Sequence, residues 1–273
     1  MSHPVPTVSG VSAEALELTR DIGVVDLHID TFIPPRLWGY DPLHGHGRGV
    51  LRGHFFGHLD LPRMEIGGLK GAMWSITTNP LRSAKGRWST FLLNLERLKF
   101  LAEDSGGALR IVSNLSDYLE AESHECHICL PAVQGGNAIE AAPDLASSIP
   151  GHCITRVTLV HLTNSGFGVT SSPLALWRTG RGLTRSGHAM VESLNENRIL
   201  VDLAHINPAG FWDAVQTHDA SQPLVATHTG VDGVRPHWRN LDDKQLKAIA
   251  ETGGTIGVIF AAPFLRRRGG PRD

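Results

Sequence analysis

A chain of 273 residues with 41% hydrophobic and 19% charged content can bury one large core, and α/β barrels of this length commonly stay undivided. The formal net charge of -2 provides no electrostatic footprint for nucleic acid or for an acidic membrane. No apolar run is long enough to span a bilayer, and Met1-Ser2-His3-Pro4-Val5-Pro6 shows no basic-then-apolar signal, so a cytoplasmic protein is expected. Three cysteines, an odd and small number, argue against a disulfide framework. Cys126 and Cys129 form a C-x-x-C beside His124 and His127, but no second such pair follows. They are expected to pack as small hydrophobes at the start of a strand, not as a redox pair or half a zinc site.

In chain order, residues 12–20 read as a short helix, and Gly23-Val24-Val25-Asp26-Leu27-His28-Ile29-Asp30 as a buried strand. Side chains alternate along a strand, so His28 and Asp30 would face one point and offer a nitrogen and an oxygen suited to zinc. Residues 32–60, rich in Gly, Pro and His, read as an irregular loop. Its histidines (His44, His46, His54 and His58) are expected mostly in solvent, although a metal-binding loop at 44–58 is a third, weaker reading of the whole chain. A second strand is expected over 69–76. A helix follows over 88–103, with Leu92, Leu93, Leu95, Leu98 and Leu101 near one face. Strands are then expected at 127–133, 154–161, 199–204, 223–227 and 255–260, and helices near 137–147, 184–197, 208–218 and 242–252. Thr184, Asn207-Pro208 and Asp242 are the expected helix starts. Such alternation implies a parallel sheet with helical crossovers. The expected fold is α/β, of the (β/α)8 TIM-barrel type, in one domain over 1–273. It is incomplete, with about seven strands, no closing eighth strand and an irregular basic tail at 261–273. Open sheet edges are normally paired or covered, which would suit a homodimer or another chain that completes the barrel.

In such barrels the ligands sit at the carboxyl ends of strands. Three more strands end in histidine, at His161, His205 and His228, and with His28 they point to a metal site. The third major strand ends instead in Gln134. A pair of cations normally shares a carboxylate that screens their repulsion, and a neutral amide is a poor substitute. One strong metal position and one doubtful one are therefore expected.

These segments resemble the membrane (renal) dipeptidase family of zinc peptidases, within the amidohydrolase-like barrels. Asp26-Leu27-His28-Ile29-Asp30 resembles the family's first-strand His-x-Asp. His58-Leu59-Asp60-Leu61-Pro62-Arg63 with Gly67-Gly68-Leu69-Lys70-Gly71-Ala72-Met73-Trp74-Ser75 is similar to the segment entering its second strand. Gln134-Gly135-Gly136-Asn137 stands where the family has Glu-Gly-Gly-His/Asn. Leu159-Val160-His161-Leu162-Thr163-Asn164, Gly182-Leu183-Thr184, Val201-Asp202-Leu203-Ala204-His205, Thr227-His228-Thr229 and Arg239-Asn240-Leu241-Asp242-Asp243 follow in the family's order.

The resemblance implies hydrolysis of a dipeptide or related small amide by hydroxide held between two zinc ions. His28 and Asp30 would hold one ion, His205 and His228 the other. His161 would contact substrate near the scissile carbonyl, with Asn164 nearby, and Arg239 would bind the terminal carboxylate. The chain departs from the family in two places. Gln134 replaces the bridging glutamate, and no aspartate-bearing run follows Phe260, where Asp273 is the last residue. No catalytic residue is therefore assigned. The departures set a rival expectation: a non-catalytic relative that binds a small peptide or amide.

Overall fold

The computed structural model describes residues 10–30, 39–46, 59–124, 126–173 and 181–265. The expectations concerning His54, His58 and most of the basic tail lie outside the described residues. Eight parallel strands form one sheet: β1 (Val25–Ile29), β2 (Gly71–Thr77), β3 (Leu109–Ile111), β4 (His127–Gln134), β5 (Arg156–Thr158), β6 (Leu200–Asp202), β7 (Leu224–Thr229) and β8 (Thr255–Val258). Their order is β1-β2-β4-β5-β6-β7-β8, with β3 pairing to β4 off this path. The seven strands on the path are those expected from sequence. β3, only three residues long, was not anticipated.

The chain forms two compact units, Met1–Ile76 with Leu93–Pro131, and Thr77–Leu92 with Ala132–Asp273. In the first, helix Ala13–Ile22 starts at Ser12, whose side chain accepts from Ala15 N, and stops at Gly23 with φ 67°. β1 pairs with β2 in register at Val25↔Gly71 and Asp26↔Ala72, then slips between Asp26 and Ile29, the stretch that holds Leu27 and His28. Helix Leu61–Ile66 starts at Asp60, whose carboxylate also pairs with Arg63 at 2.7 Å. Val112, Ala121, Cys126 and Ile128 form a buried cluster flanked by Tyr118 and Leu130. Cys126 and Cys129 are buried here, and Cys153 is buried in the second unit. Helix Ala84–Asp104, of which the residues from Leu93 on belong to this unit, buries Leu95 and Leu98 and leaves Leu93 52% exposed, contrary to its expected place on the inner face.

Buried in this unit, His127 has both ring nitrogens engaged. Trp74 Nε1 donates to its Nε2, and its Nδ1 faces Leu69 O, each at 3.3 Å. Burial drives its pKa down to about 4, the Leu69 carbonyl only partly opposing. The unfolded chain, with an ordinary pKa near 6.5, therefore binds more protons between these values. Stability from this histidine is complete above about pH 6.5 and falls as pH drops toward 4. The expected loss is roughly 3 kcal/mol. Urea unfolding at pH 7 and pH 4.5, on the native chain and on His127→Gln, should show a smaller acid loss in the variant.

In the second unit, β4 pairs with β5 (Val133↔Val157, Gln134↔Thr158) and β5 with β6 (Val157↔Val201, Thr158↔Asp202). Alternation puts Val133, Val157 and Val201 on one face, all fully buried, and Gln134, Thr158 and Asp202 on the other. β7 pairs with β8 but slips between Ala226 and Thr229, the stretch that holds Thr227 and His228. Helices Arg185–Glu196, Pro208–Thr217 and Asp243–Glu251 begin at the expected caps Thr184, Asn207 and Asp242, the last with a complete capping box. A Cβ on Gly187 would sit 1.9 Å from Phe167 O, so this glycine permits the helix to approach the loop after β5. The helix expected near 137–147 is corrected. Short 3-10 turns at Gly136–Ala138 and Leu145–Ser148 stand at the two ends of that stretch, and a third follows at Pro150–His152. Pro143 lacks an N–H and disfavours helical geometry before it, which breaks the pattern. No described helix is long and apolar enough to cross a membrane.

Candidate functional site

His28 and Asp30 meet as strand alternation requires, His28 Nε2 lying 3.5 Å from Asp30 Oδ2. Ser75 Oγ contacts His28 Nδ1 at 3.0 Å, and His28 N donates to Asp26 Oδ1 at 2.9 Å. With Nδ1 protonated toward Ser75, His28 would present an Nε2 lone pair beside a carboxylate oxygen. The register slip between Asp26 and Ile29 is the kind of irregularity that re-aims side chains next to sites.

The second unit gathers four of the expected residues. His205 Nε2 and His228 Nε2 are 2.8 Å apart, and the Gln134 amide lies 3.3 and 3.4 Å from them. The His161 ring stands edge-on to His205 with centroids 4.7 Å apart. Local backbone explains the convergence. Gly135, directly after Gln134, has φ 90°, and a Cβ there would lie 2.7 Å from Asn137 Oδ1 and 3.0 Å from His161 Cβ. His205 itself takes φ 68°, a left-handed conformation that costs a side-chain-bearing residue about 1 kcal/mol or more. Its carbonyl is held there by Ser171 N at 2.7 Å and by the hydroxyls of Thr170 and Ser171, each at 3.1 Å.

Asn164 turns its Oδ1 to Thr170 N at 3.0 Å, so it shapes the loop that carries His161. Arg239 is 95% buried. Its Nη2 donates to His228 O at 2.8 Å, while Nη1 has no hydrogen-bond partner among the described residues. Burial lowers its pKa to about 10 and the Asp202 carboxylate partly opposes this, so it remains a cation at neutral pH. A buried, charged donor of this kind has the chemistry to take an anionic acceptor. In the loop at 39–46, His44 is engaged by Asp41 and His46 by the Asp41 carbonyl. Among the described residues no three His, Cys, Asp or Glu side chains form a metal-holding group.

Sequence reasoning missed what stands behind the histidines. Asp202 and Arg156, both fully buried, pair at 3.2 Å. Asp202 Oδ2 also accepts from the Thr158 and Thr227 hydroxyls, each at 2.7 Å, and its Oδ1 from Ala204 N and Thr227 N. Burial alone would raise the Asp202 pKa. The Arg156 guanidinium and these hydrogen bonds outweigh it and hold the carboxyl below its ordinary range. Also unforeseen was a clamp in which Glu140 pairs with Arg87 and accepts from Gly166 N at 2.5 Å, tying the His161 loop to the start of helix Ala84–Asp104. A signal for the first was available in Val201-Asp202-Leu203, a lone carboxylate inside an apolar strand.

The donor set fits a metal in kind. Two imidazole nitrogens and an amide converge in the second unit, and an imidazole and a carboxylate in the first.

Three comparisons bear on this geometry. The family model for membrane dipeptidase (peptidase family M19) matches residues 12–271. An uncharacterised protein of Acinetobacter calcoaceticus is 29% identical over 277 aligned residues, 92% of this chain and 84% of that one. Among solved structures, a metallopeptidase from Rhodobacter sphaeroides bound to a phosphinate mimic of the dipeptide L-Ala-D-Ala superposes with TM-score 0.75 at 26% identity, covering 89% of this chain and 75% of its own. The dipeptidase AC, an M19 metallopeptidase, gives TM-score 0.75 at 28% identity, covering 89% and 73%. The family model over nearly the whole chain and the superposition on an M19 dipeptidase agree, and the chain belongs to the membrane dipeptidase family of metallopeptidases.

Proposed function

We propose that this chain is a zinc-dependent hydrolase of dipeptides or closely related small amides. The observation that carries the reading is the convergence of His205, His228 and the Gln134 amide within 3.4 Å, adjoining the Arg239 guanidinium. His205 and His228 would hold one zinc, with Gln134 as a weak neutral donor, and His28 with Asp30 would hold another. When bound, zinc supplies Lewis acidity that lowers the pKa of water and polarises a carbonyl. The chain's own residues do the rest. Arg239 Nη1 receives the substrate's terminal carboxylate and orients the peptide. His161, edge-on to His205, donates to or accepts from the scissile amide. Asn164 keeps the His161 loop in place through Thr170. Binding of a carboxylate also relieves the buried, unpartnered Nη1.

Zinc titration with a dipeptide hydrolysis assay tests the reading. Zinc uptake at the position of His205 and His228, and turnover with it, should disappear in His228→Ala. Turnover that persists without zinc would refute it. In Arg239→Met, KM for a dipeptide should rise roughly 10- to 100-fold, the loss of one charged hydrogen bond. A dipeptide amidated at its C-terminus should show little of that difference. A second reading, a binding protein without turnover, is favoured by one observation: the shared carboxylate position is filled by Gln134. Zinc and dipeptide binding without hydrolysis would select it.

A further inference from the structure

The register of three neighbouring strands sets Gln134, Thr158 and Asp202 in one row. Five donors address the two oxygens of Asp202: Ala204 N at 3.0 Å, Thr227 N at 3.1 Å, the Thr158 and Thr227 hydroxyls at 2.7 Å, and Arg156 Nη1 at 3.2 Å. A carboxylate so supplied needs no proton of its own and is acceptor-only. Arg156 Nη1 also donates to Thr158 Oγ1 at 2.5 Å and to Val133 O at 3.1 Å.

Proton counting then fixes the next layer. A hydroxyl carries one proton. Thr227 gives its proton to Asp202, so at the 2.9 Å contact with His228 Nδ1 the ring must be the donor. A neutral imidazole protonated at Nδ1 has a lone pair at Nε2, which is the atom facing His205 and Gln134. Thr158 likewise gives its proton to Asp202. At its 3.1 Å contact with Gln134 it can only accept. The two ends of a carboxamide are isosteric, so this accounting turns the NH2 toward Thr158 and Oε1 toward His205 and His228. An oxygen and a nitrogen lone pair then point at one place, an arrangement that suits a cation.

We propose that the buried Arg156–Asp202 pair positions the metal donors, acting through Thr227 to hold His228 as its Nδ1–H tautomer and through Thr158 to present Gln134 Oε1 to the ion. This rests on the reading of His205 and His228 as metal ligands. Partners behind a ligand typically carry 10- to 100-fold in metal affinity.

The experiment uses the full chain, zinc chloride as the probe, and long-range nitrogen–proton spectra of the histidine rings. Without zinc, His228 should show the Nδ1–H pattern. Thr227→Val should lose that pattern and bind zinc 10- to 100-fold more weakly, and Thr227→Ser should restore both. A threonine that only supports the fold would lower Tm and leave the tautomer unchanged. An Nε2–H ring in the native chain overturns the proposal, as does a Thr227→Val variant with native zinc affinity. Zinc should move the Gln134 Cδ resonance downfield, and an unmoved resonance overturns the Thr158 arm. If the native chain binds no zinc, the metal reading falls and the apo tautomer alone decides the relay. If Thr227→Val does not fold, the native spectrum and Thr227→Ser still decide it.

Discussion

Asp202→Ala is expected to lower the stability of the folded chain by about 3–5 kcal/mol, the usual consequence of removing one partner of a buried ion pair. Arg156 and Asp202 have no exposed surface, so the variant strands a guanidinium in the interior. It also leaves the Thr158 and Thr227 hydroxyls and two backbone N–H groups without their acceptor. Replacing both partners, as Arg156→Met with Asp202→Leu, should be milder than Asp202→Ala alone, since no charge is then left behind. Guanidinium unfolding of the three chains reads this directly. A loss under 1 kcal/mol in Asp202→Ala would contradict it. The pH dependence separates this pair from His127. Asp202 has a lowered folded pKa, so its contribution is complete above the ordinary value of 3.8 and fades only as pH falls through that lower value. Weakening as pH falls below 6.5 toward 4 therefore comes from His127, with His237, whose pKa burial also lowers, adding to it, and His127→Gln separates the two.

Gln134→Glu is the second large effect, and it concerns the metal. The amide lies within 3.4 Å of both imidazole nitrogens, so a carboxylate in its place would stand beside any bound ion. A unit charge about 4 Å from a dication gains roughly 8 kcal/mol at an effective dielectric of 20. Desolvating the carboxylate takes back several kcal/mol, leaving about 3 kcal/mol, or around 100-fold in affinity. Zinc content should rise from one equivalent toward two. Unchanged stoichiometry and affinity would remove Gln134 from the metal site.

The strands that carry the candidate histidines were legible because each is an apolar run with a histidine at or just past its end, and the helices because Thr184, Asn207 and Asp242 cap them. β3 was invisible because Leu109-Arg110-Ile111 is too short to show a period. Residues 137–147 misled because an apolar spacing survives there although Pro143 prevents a helix. His28 meeting Asp30 followed from alternation alone. The Arg156–Asp202 pair did not, because it depends on register. Nothing local says that Thr158 lies level with Asp202 and Gln134 until the strands are paired. The free Arg239 Nη1 was equally hidden, because burial of a single nitrogen is a property of tertiary packing.

Asparagine would occupy position 205 more comfortably than histidine does, since its short side chain tolerates the φ of 68°. The imidazole there is thus held against the backbone's own preference, and under the proposed function its place as a metal donor is the demand that keeps it. Relaxation of that one demand would let the chain drift toward a sturdier and chemically silent descendant.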